Sequence, residues 1–591
     1  MINSELSKIF KEISVFLEIK GVLFKPQAFE KVAYTVGSLE EDLKDIYKEG
    51  GLKALEDIPG IGQGIAERIE EYIKTGHIKD YDKLKKELPV DIEGLRAVEG
   101  IGPKTILHLY QKLGIKNLDQ LEKAAKAGKI RNIAGLGEKT EERILKSIGF
   151  LKTSSGRLVL GFAMPSFRLI LEKIRKVDGV KSAEFAGSVR RMQETVGDLD
   201  ILVISNRPSR VIDFFVSMPE VEAIHSKGET KSSVRLKIGL PAGQAGMDVD
   251  LRVLPPESFG AAWQYFTGDK YHNVQLREIA IKQGYKLNEY GLYRGNPSLK
   301  LRKGKEKLIV GRTEEEIYKK LGLEWMPPEL RTNNGELDLV KNKNLPDLIA
   351  YSDLRGDLQV QTDWTDGEHS IKEMAEAAKK IGLEYICITD HTKSLAMTGG
   401  SDEKRLLKQM AEIDKIQKEV PGIKILKGAE VNIMKDGSLD INDETLAKLD
   451  VVGAAVHSLF NLSEDEQTKR IIRAMENPNV DIIFHPTGRI INKRPAYPVN
   501  VDELLKVTKR TKTIMEIDAF PDRLDLKDEY IRKGIDPPTG GGVKFSIDSD
   551  AHHTSHFQYL EYGIAQARRG WAEKSDIINT RKWEDMLGLL K

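Results

Sequence analysis

The chain has 591 residues, enough for about four domains on the usual length scale, each able to bury its own core. Its 92 Lys+Arg against 91 Asp+Glu leave a net charge of +1, so nucleic-acid binding has to come from local segregation of charge. The single cysteine, Cys387, excludes intrachain disulfides, and no run approaches the roughly 18 apolar residues of a membrane span, which points to a cytoplasmic chain with no membrane partner.

The opening MINSELSKIFKEI has the apolar spacing of an amphipathic helix, and residues 1–150 read as helical. Within them one element occurs three times: IPGIGQGIAERI from Ile58, VEGIGPKTILHL from Val98 and IAGLGEKTEERI from Ile133. Each copy joins two short helices through a Gly-apolar-Gly turn, made by Gly60 and Gly62, Gly100 and Gly102, and Gly135 and Gly137. Such a turn leaves backbone N–H groups free at a helix start, where partial positive charge gathers a phosphate without reading a base. Lys104, its neighbouring lysines and Arg131 would add salt-sensitive attraction to DNA. The copies resemble helix-hairpin-helix motifs, one in a domain spanning residues 1–84 and two in a domain spanning residues 85–150.

In residues 151–258, SFRLILEKIRKV puts Phe167, Ile170, Leu171, Ile174 and Val177 at helical spacing, and GSVRRMQETVGDLD follows at 187–200. Asp198 and Asp200 lie two apart in an apolar run, so on a strand both carboxylates point to one face. A third acid, Asp248 or Asp250 of MDVDLRV, would join them once the two strands pair, and three hard oxygen donors suit a pair of Mg²⁺ ions. Gly187 and Ser188 supply a tight turn able to hold phosphate oxygens, with Arg190 and Arg191 close behind. This order of elements is an α+β catalytic palm.

With WQYFTGDKYHNVQLR at 263–277, nearly all of residues 1–330 resembles the family X DNA polymerases, relatives of DNA polymerase beta. The resemblance makes the palm a nucleotidyltransferase, followed at 259–330 by a small thumb-like subdomain that selects the nucleotide. It favours Asp250 over Asp248 as the third acid. It sets Gly187, Ser188, Arg191 and Gly197 at the triphosphate, Tyr265, Phe266, Gly268, Asp269 and Asn273 around the nucleotide, and Arg277 toward the template. It implies a monomer filling gaps in DNA repair, with dNTPs, gapped or primer-template DNA, and Mg²⁺ for which Mn²⁺ can substitute. The basic stretch KLRKGKEK at 300–307 is a further DNA-contact candidate. One family activity does not carry over. The lysine nucleophile of the 5′-deoxyribose phosphate lyase aligns with Arg68, which stays protonated, so no strong lyase activity is expected.

Residues 331–345 are polar and read as a linker. From 346 to 591, short apolar runs alternate with helical stretches, and the runs end in candidate ligands: YICIT in Asp390 and His391, KILKGA in Glu430, VVGAAV in His457, VDIIF in His485, VKFSI in Asp548, Asp550 and His552. Ligands at the C-terminal ends of successive parallel strands converge on one rim of a barrel. Mixed imidazole and carboxylate donors suit Mn²⁺, Zn²⁺ or Fe²⁺ and phosphoester hydrolysis. This half resembles the polymerase and histidinol phosphatase (PHP) domain, a distorted α/β barrel with a multinuclear metal cluster. The matching positions are Asp366, His391, Glu430, His457, His485, Asp550 and His552. The sequence departs from the family in GDLQVQTDWTDG, where the usual His-x-His is Gln359-x-Gln361, and a neutral amide is a poor ligand for these ions. An intact cluster implies Mn²⁺-dependent 3′ to 5′ exonuclease activity and cleavage at abasic sites. The two glutamines leave either a hydrolase with fewer metals or a barrel kept for structure. The alternative for the whole chain is a DNA 3′-end hydrolase whose polymerase half mainly holds substrate.

Overall fold

The computed structural model describes residues 2–591 apart from 23–24, 40–41, 59, 97, 99–100, 134, 154–156, 241–242, 295–306, 342–343 and 536–541. Gly100 and residues 300–306 of the basic stretch therefore lie outside the described residues. No described helix is long and apolar enough to cross a membrane.

The N-terminal region is a set of short helices around one apolar core running from Leu6 to Ile148. The three repeated turns are closed by the same backbone bond, Ile61 N–H to Ile58 O at 3.0 Å, Ile101 N–H to Val98 O at 3.1 Å and Leu136 N–H to Ile133 O at 2.9 Å. Gly60 and Gly135 sit at φ +84° and +85°, where a Cβ would be strained, so glycine is needed there. Gly62 and Gly102 are the extended residues just before the helices Gln63–Thr75 and Pro103–Leu113. Arg131 is not a free cation for DNA. Its Nε donates to Glu141 at 2.6 Å and its Nη1 to Glu138 at 2.5 Å, holding the third copy together.

The palm is a five-stranded sheet in the order Val180–Phe185, Asp198–Ser205, Gly243–Leu254, Lys231–Leu240 and Val221–Lys227. Only the pairing of Asp198–Ser205 with Gly243–Leu254 is parallel. The helix Leu160–Arg175 covers one face, burying Phe167, Ile170, Leu171 and Ile174. Val177 falls past its end and is only partly buried. Two residues from far along the chain, Leu524 and Tyr562, complete this core.

Two helices, Phe259–Thr267 and Lys270–Lys282, follow, then a three-stranded antiparallel sheet and the helix Glu314–Lys320. The stretch 331–345 differs from the expected linker. It holds the helix Glu336–Lys341, whose Leu337 and Val340, three apart, pack into the same core as Ile317 and Tyr318. Arg331 and Glu336 are buried with it, while exposed Asn334 and Asp338 interrupt the pattern and hide this two-residue apolar stripe.

At the junction with the palm, the fully buried Glu314 accepts from Arg190 at 2.7 and 2.8 Å and from Arg331 at 2.5 and 2.9 Å. Burial opposes its charge, but the two guanidinium groups prevail and hold its carboxyl at about 2. Glu314→Gln should therefore cost about 3–5 kcal/mol at pH 7, because two buried cations lose their counter-charge. Because the folded value is depressed, this stability is present above the ordinary carboxylate pKa of about 4.3 and is lost as pH falls toward 2. Melting curves between pH 7 and 3 should show the wild type converging on the variant.

The C-terminal half is a sheet of seven parallel strands in sequence order, from Gly356–Val360 to Phe545–Asp548. Val360 bridges Ala551, which brings the first and last strands together into a nearly closed barrel. Cys387 lies in the strand Tyr385–Ile388, fully buried, and its thiol is pushed well up by burial. It is a core residue, as its apolar neighbours imply.

Candidate active sites

Two separate clusters emerge, one on the palm sheet and one on the barrel rim. In the palm, the parallel register sets Asp198 beside Asp248 and Asp200 beside Asp250, so all four carboxylates share one face. Asp248 is already neutralised, with Arg235 Nη1 at 2.9 Å and His225 Nε2 at 3.1 Å, and its pKa is lowered, first by the His225 bond. Asp250 has a more distant cation, Lys231 Nζ at 3.6 Å. Asp200 is pushed up to about 7 by burial and by the like charges of Asp198 and Asp250, a set that calls for a cation.

The turn before these acids packs directly on them. Gly187, at φ +60°, has no room for a Cβ, which would lie 2.4 Å from Asp200 Oδ2. Ser188 Oγ is buried with no hydrogen-bond partner, as a group awaiting an acceptor such as a phosphate oxygen would be. Arg191 donates through Nη1 to Thr267 O at 2.5 Å, leaves Nε unpaired and is held below its ordinary pKa by burial. Gly197 lies against Arg157, whose Nη1 would be 3.1 Å from an added Cβ.

Across the palm edge, Arg252 lies over the Phe266 ring at 4.4 Å, and Tyr265 packs edge-on against Phe266. Asp269 caps the helix Lys270–Lys282 by accepting from His272 N–H at 2.7 Å. Asn273, expected at the nucleotide, has its amide engaged inside the chain: Nδ2 donates to Tyr265 O at 2.7 Å and Gly268 O at 2.9 Å. In this arrangement it holds the YFTG turn in shape. Arg277 is half-buried one turn later and donates to Asn273 O at 3.2 Å.

On the barrel rim, Asp366 Oδ2 lies 3.6 Å from His391 Nε2 and 3.7 Å from His552 Nε2. Glu430 stands between three imidazoles, at 3.4 Å from His391 Nδ1, 2.9 Å from His457 Nε2 and 2.8 Å from His485 Nε2. Among the described residues, the ligand atoms of Asp366, His391 and His552, and those of His391, Glu430 and His457, each lie within 4.8 Å of one another. The three palm acids are not brought together so tightly. His391 Nδ1 and His485 Nδ1 are buried without hydrogen bonds, as expected of nitrogens that could ligate an ion. The donor set here fits a metal.

A third corner does not. The register Val360 to Ala551 sets Gln359 beside Asp550 and Gln361 beside His552. Gln361 spends its Nε2 on Glu430 Oε2 at 2.8 Å, and both ends of the buried Gln359 amide are unpaired. Asp550 faces a cation of the protein itself, Arg523, whose Nε lies 3.4 Å from both Asp550 Oδ2 and Asp518 Oδ2. Two acids at strand ends prove structural. Asp390 accepts from Thr362, Thr365 and Gln409, and Asp548 accepts from Leu358 N–H while burial beside Asp357 pushes its carboxyl up.

The sequence reading missed Arg523 and Asn432. Asn432 Oδ1 accepts from His457 Nδ1 at 2.8 Å and so turns Nε2 toward Glu430. Its position at the end of the Glu430 strand, two residues on, was the available signal.

Family models match four stretches: a helix-hairpin-helix domain over residues 1–78, a SAM-like helix-hairpin-helix tandem over 92–149, the DNA polymerase beta thumb over 262–332 and the PHP domain over 357–517. The chain is 34% identical over 592 residues to the DNA polymerase/3′-5′ exonuclease PolX of Bacillus subtilis (strain 168), covering 100% of both chains. A probable phosphatase of Thermoanaerobacter sp. (strain X514) is 32% identical over 217 residues, 36% of this chain and 84% of that protein. DNA polymerase lambda of Arabidopsis thaliana is 27% identical over 312 residues, 47% of this chain and 53% of that protein. Identity running end to end through both halves, with a polymerase thumb match just after the palm and a PHP match over most of the barrel, means that the chain belongs to the PolX family of DNA polymerase/3′-5′ exonucleases.

Proposed function

We propose that this chain fills gaps in DNA from dNTPs at the Asp198, Asp200 and Asp250 face, and that its barrel is a weakened 3′ to 5′ exonuclease. The observation that carries the first part is the register of Asp200 with Asp250, with the Gly187–Ser188 turn packed against Asp200. Asp198, Asp200 and Asp250 would hold Mg²⁺, which when bound supplies charge for an in-line displacement at phosphorus. Asp250, with Lys231 Nζ 3.6 Å from its carboxylate, would accept the primer hydroxyl proton. Ser188 Oγ and Arg191 would take charge on the leaving triphosphate oxygens. The Asn273 amide keeps Tyr265 and Phe266 at the edge where a sugar would lie.

In the barrel, Asp366, His391 and His552 form one ligand group and His391, Glu430 and His457 the other, with His485 beside Glu430, while Gln359, Gln361 and Asp550 supply too little negative charge beside Arg523 for a third ion. Mn²⁺ is the ion we favour.

Replacing the acids one at a time tests the palm reading. Asp250→Ala should lower dNTP incorporation on a one-nucleotide gap by at least about 10²-fold, whereas Asp248→Ala should stay within about threefold of wild type. The reverse ranking would reject the assignment of the third acid.

A further inference from the structure

Between Ser188 and Asp198 the chain makes a partly buried excursion, Met192 to Thr195, whose conformation is not held by the palm alone. Met192 is at φ +50°, and among the described residues the strand bonds that tie the segment to its own domain are the two-residue pairing of Thr195 and Val196 with Leu158 and Val159. The palm adds Leu160 N–H to Glu194 O at 3.0 Å, and the barrel holds the Glu194 side chain. Glu194 Oε1 accepts from Arg489 Nη2 at 2.6 Å and from Gln566 Nε2 at 2.9 Å, and Oε2 accepts from Arg489 Nη1 at 3.2 Å. Arg569 donates to Met192 O, and Asn492 Nδ2 to Arg157 O at 2.9 Å, while Arg157 in turn grips Thr195.

The donors are themselves fixed. Arg489 and Gln566 both donate to Leu524 O, and Gln566 also to Leu526 O at 3.1 Å. A forked, bidentate guanidinium–carboxylate contact sets direction as well as distance. Gln193 N–H donates to Ser188 O at 3.1 Å, so a shift at Glu194 passes to Ser188 through its neighbour.

We infer that Glu194 is a positioning residue for nucleotidyl transfer, through which Arg489 and Gln566 of the barrel fix the turn that presents Ser188, Arg191 and Asp198 to the triphosphate. The inference rests on the polymerase reading of the palm acids. A turn released from the barrel would still carry every reacting group, but would have to be ordered by the incoming dNTP, so the cost falls on binding.

The test is steady-state gap filling by the full chain with Mg²⁺, comparing wild type, Arg489→Ala and Glu194→Gln. Arg489→Ala should raise the KM for dNTP about tenfold and leave kcat within about twofold, and Glu194→Gln should raise KM about threefold. Should Arg489→Ala fail to fold, Glu194→Gln, which keeps size and shape, decides alone. An unchanged KM in a folded variant overturns the inference. So does a fall in kcat at constant KM, since that reports lost active molecules and nothing about the turn. Asp200→Ala run alongside separates the two levels: if it still incorporates dNTP, the site reading fails, and if it is dead while KM never moves, only the role of Glu194 does.

Discussion

Asp200→Asn should lower dNTP incorporation by on the order of 10²–10³-fold and yet raise the melting temperature of the chain in EDTA. The activity falls because a charged ligand is lost from the face shared with Asp198 and Asp250. The stability rises because, without a cation, the Asp200 charge is buried next to two like charges, the condition that pushes its carboxyl up to about 7. Since the folded value lies above the unfolded one, the cost of the charge is absent below about pH 4 and grows as pH rises through 7, reaching about 2–4 kcal/mol. Calorimetry at pH 8 in EDTA should therefore favour the variant, the difference should close toward pH 4, and Mg²⁺ should raise the wild type more than the variant. A variant that melts lower in EDTA would mean that Arg252 and Arg191 already neutralise the acids.

The second large effect is expected in the barrel. With a 5′-labelled primer on gapped DNA, Mn²⁺ and no dNTP, the wild type should shorten the primer slowly, and His457→Ala should not shorten it at all. Restoring imidazoles with Gln359→His and Gln361→His should speed shortening by about 10–100-fold. The double variant should also retain one more ion per chain than wild type after desalting, read by elemental analysis. If wild type already matches the double variant in both rate and metal content, the glutamines do not limit the cluster.

Much of this arrangement was legible because its signals are local. Period-two acids at Asp198 and Asp200, three Gly-apolar-Gly turns, and ligands at the ends of apolar runs each depend on residues close in sequence. What could not be read depends on distance. Arg489 meets Glu194 across 295 positions, and no spacing rule links them. Arg523 reads as a surface arginine in PDRLDL, whereas the bend from 520 to 526 turns it toward Asp518 and Asp550. Asn273 shows a related limit: an amide beside a nucleotide-binding motif reads as a contact, and the sequence does not show that its Nδ2 also bonds Tyr265 O and Gly268 O. Asp390 and Asp548 carried the same strand-end signal as true candidates and differ only in which neighbours surround them.

The palm core that ends with Leu524 and Tyr562 also has a consequence for how the protein is made. Synthesis runs from the N-terminus, so the palm strands leave the ribosome roughly 300 residues before Tyr562, on the order of tens of seconds at ordinary elongation rates. For that interval the nascent palm core is open at Gly161, against which Tyr562 later packs. A ribosome that stalls within the barrel would leave a polymerase half whose acids and turns are all translated but whose core is open, the kind of intermediate that chaperones hold.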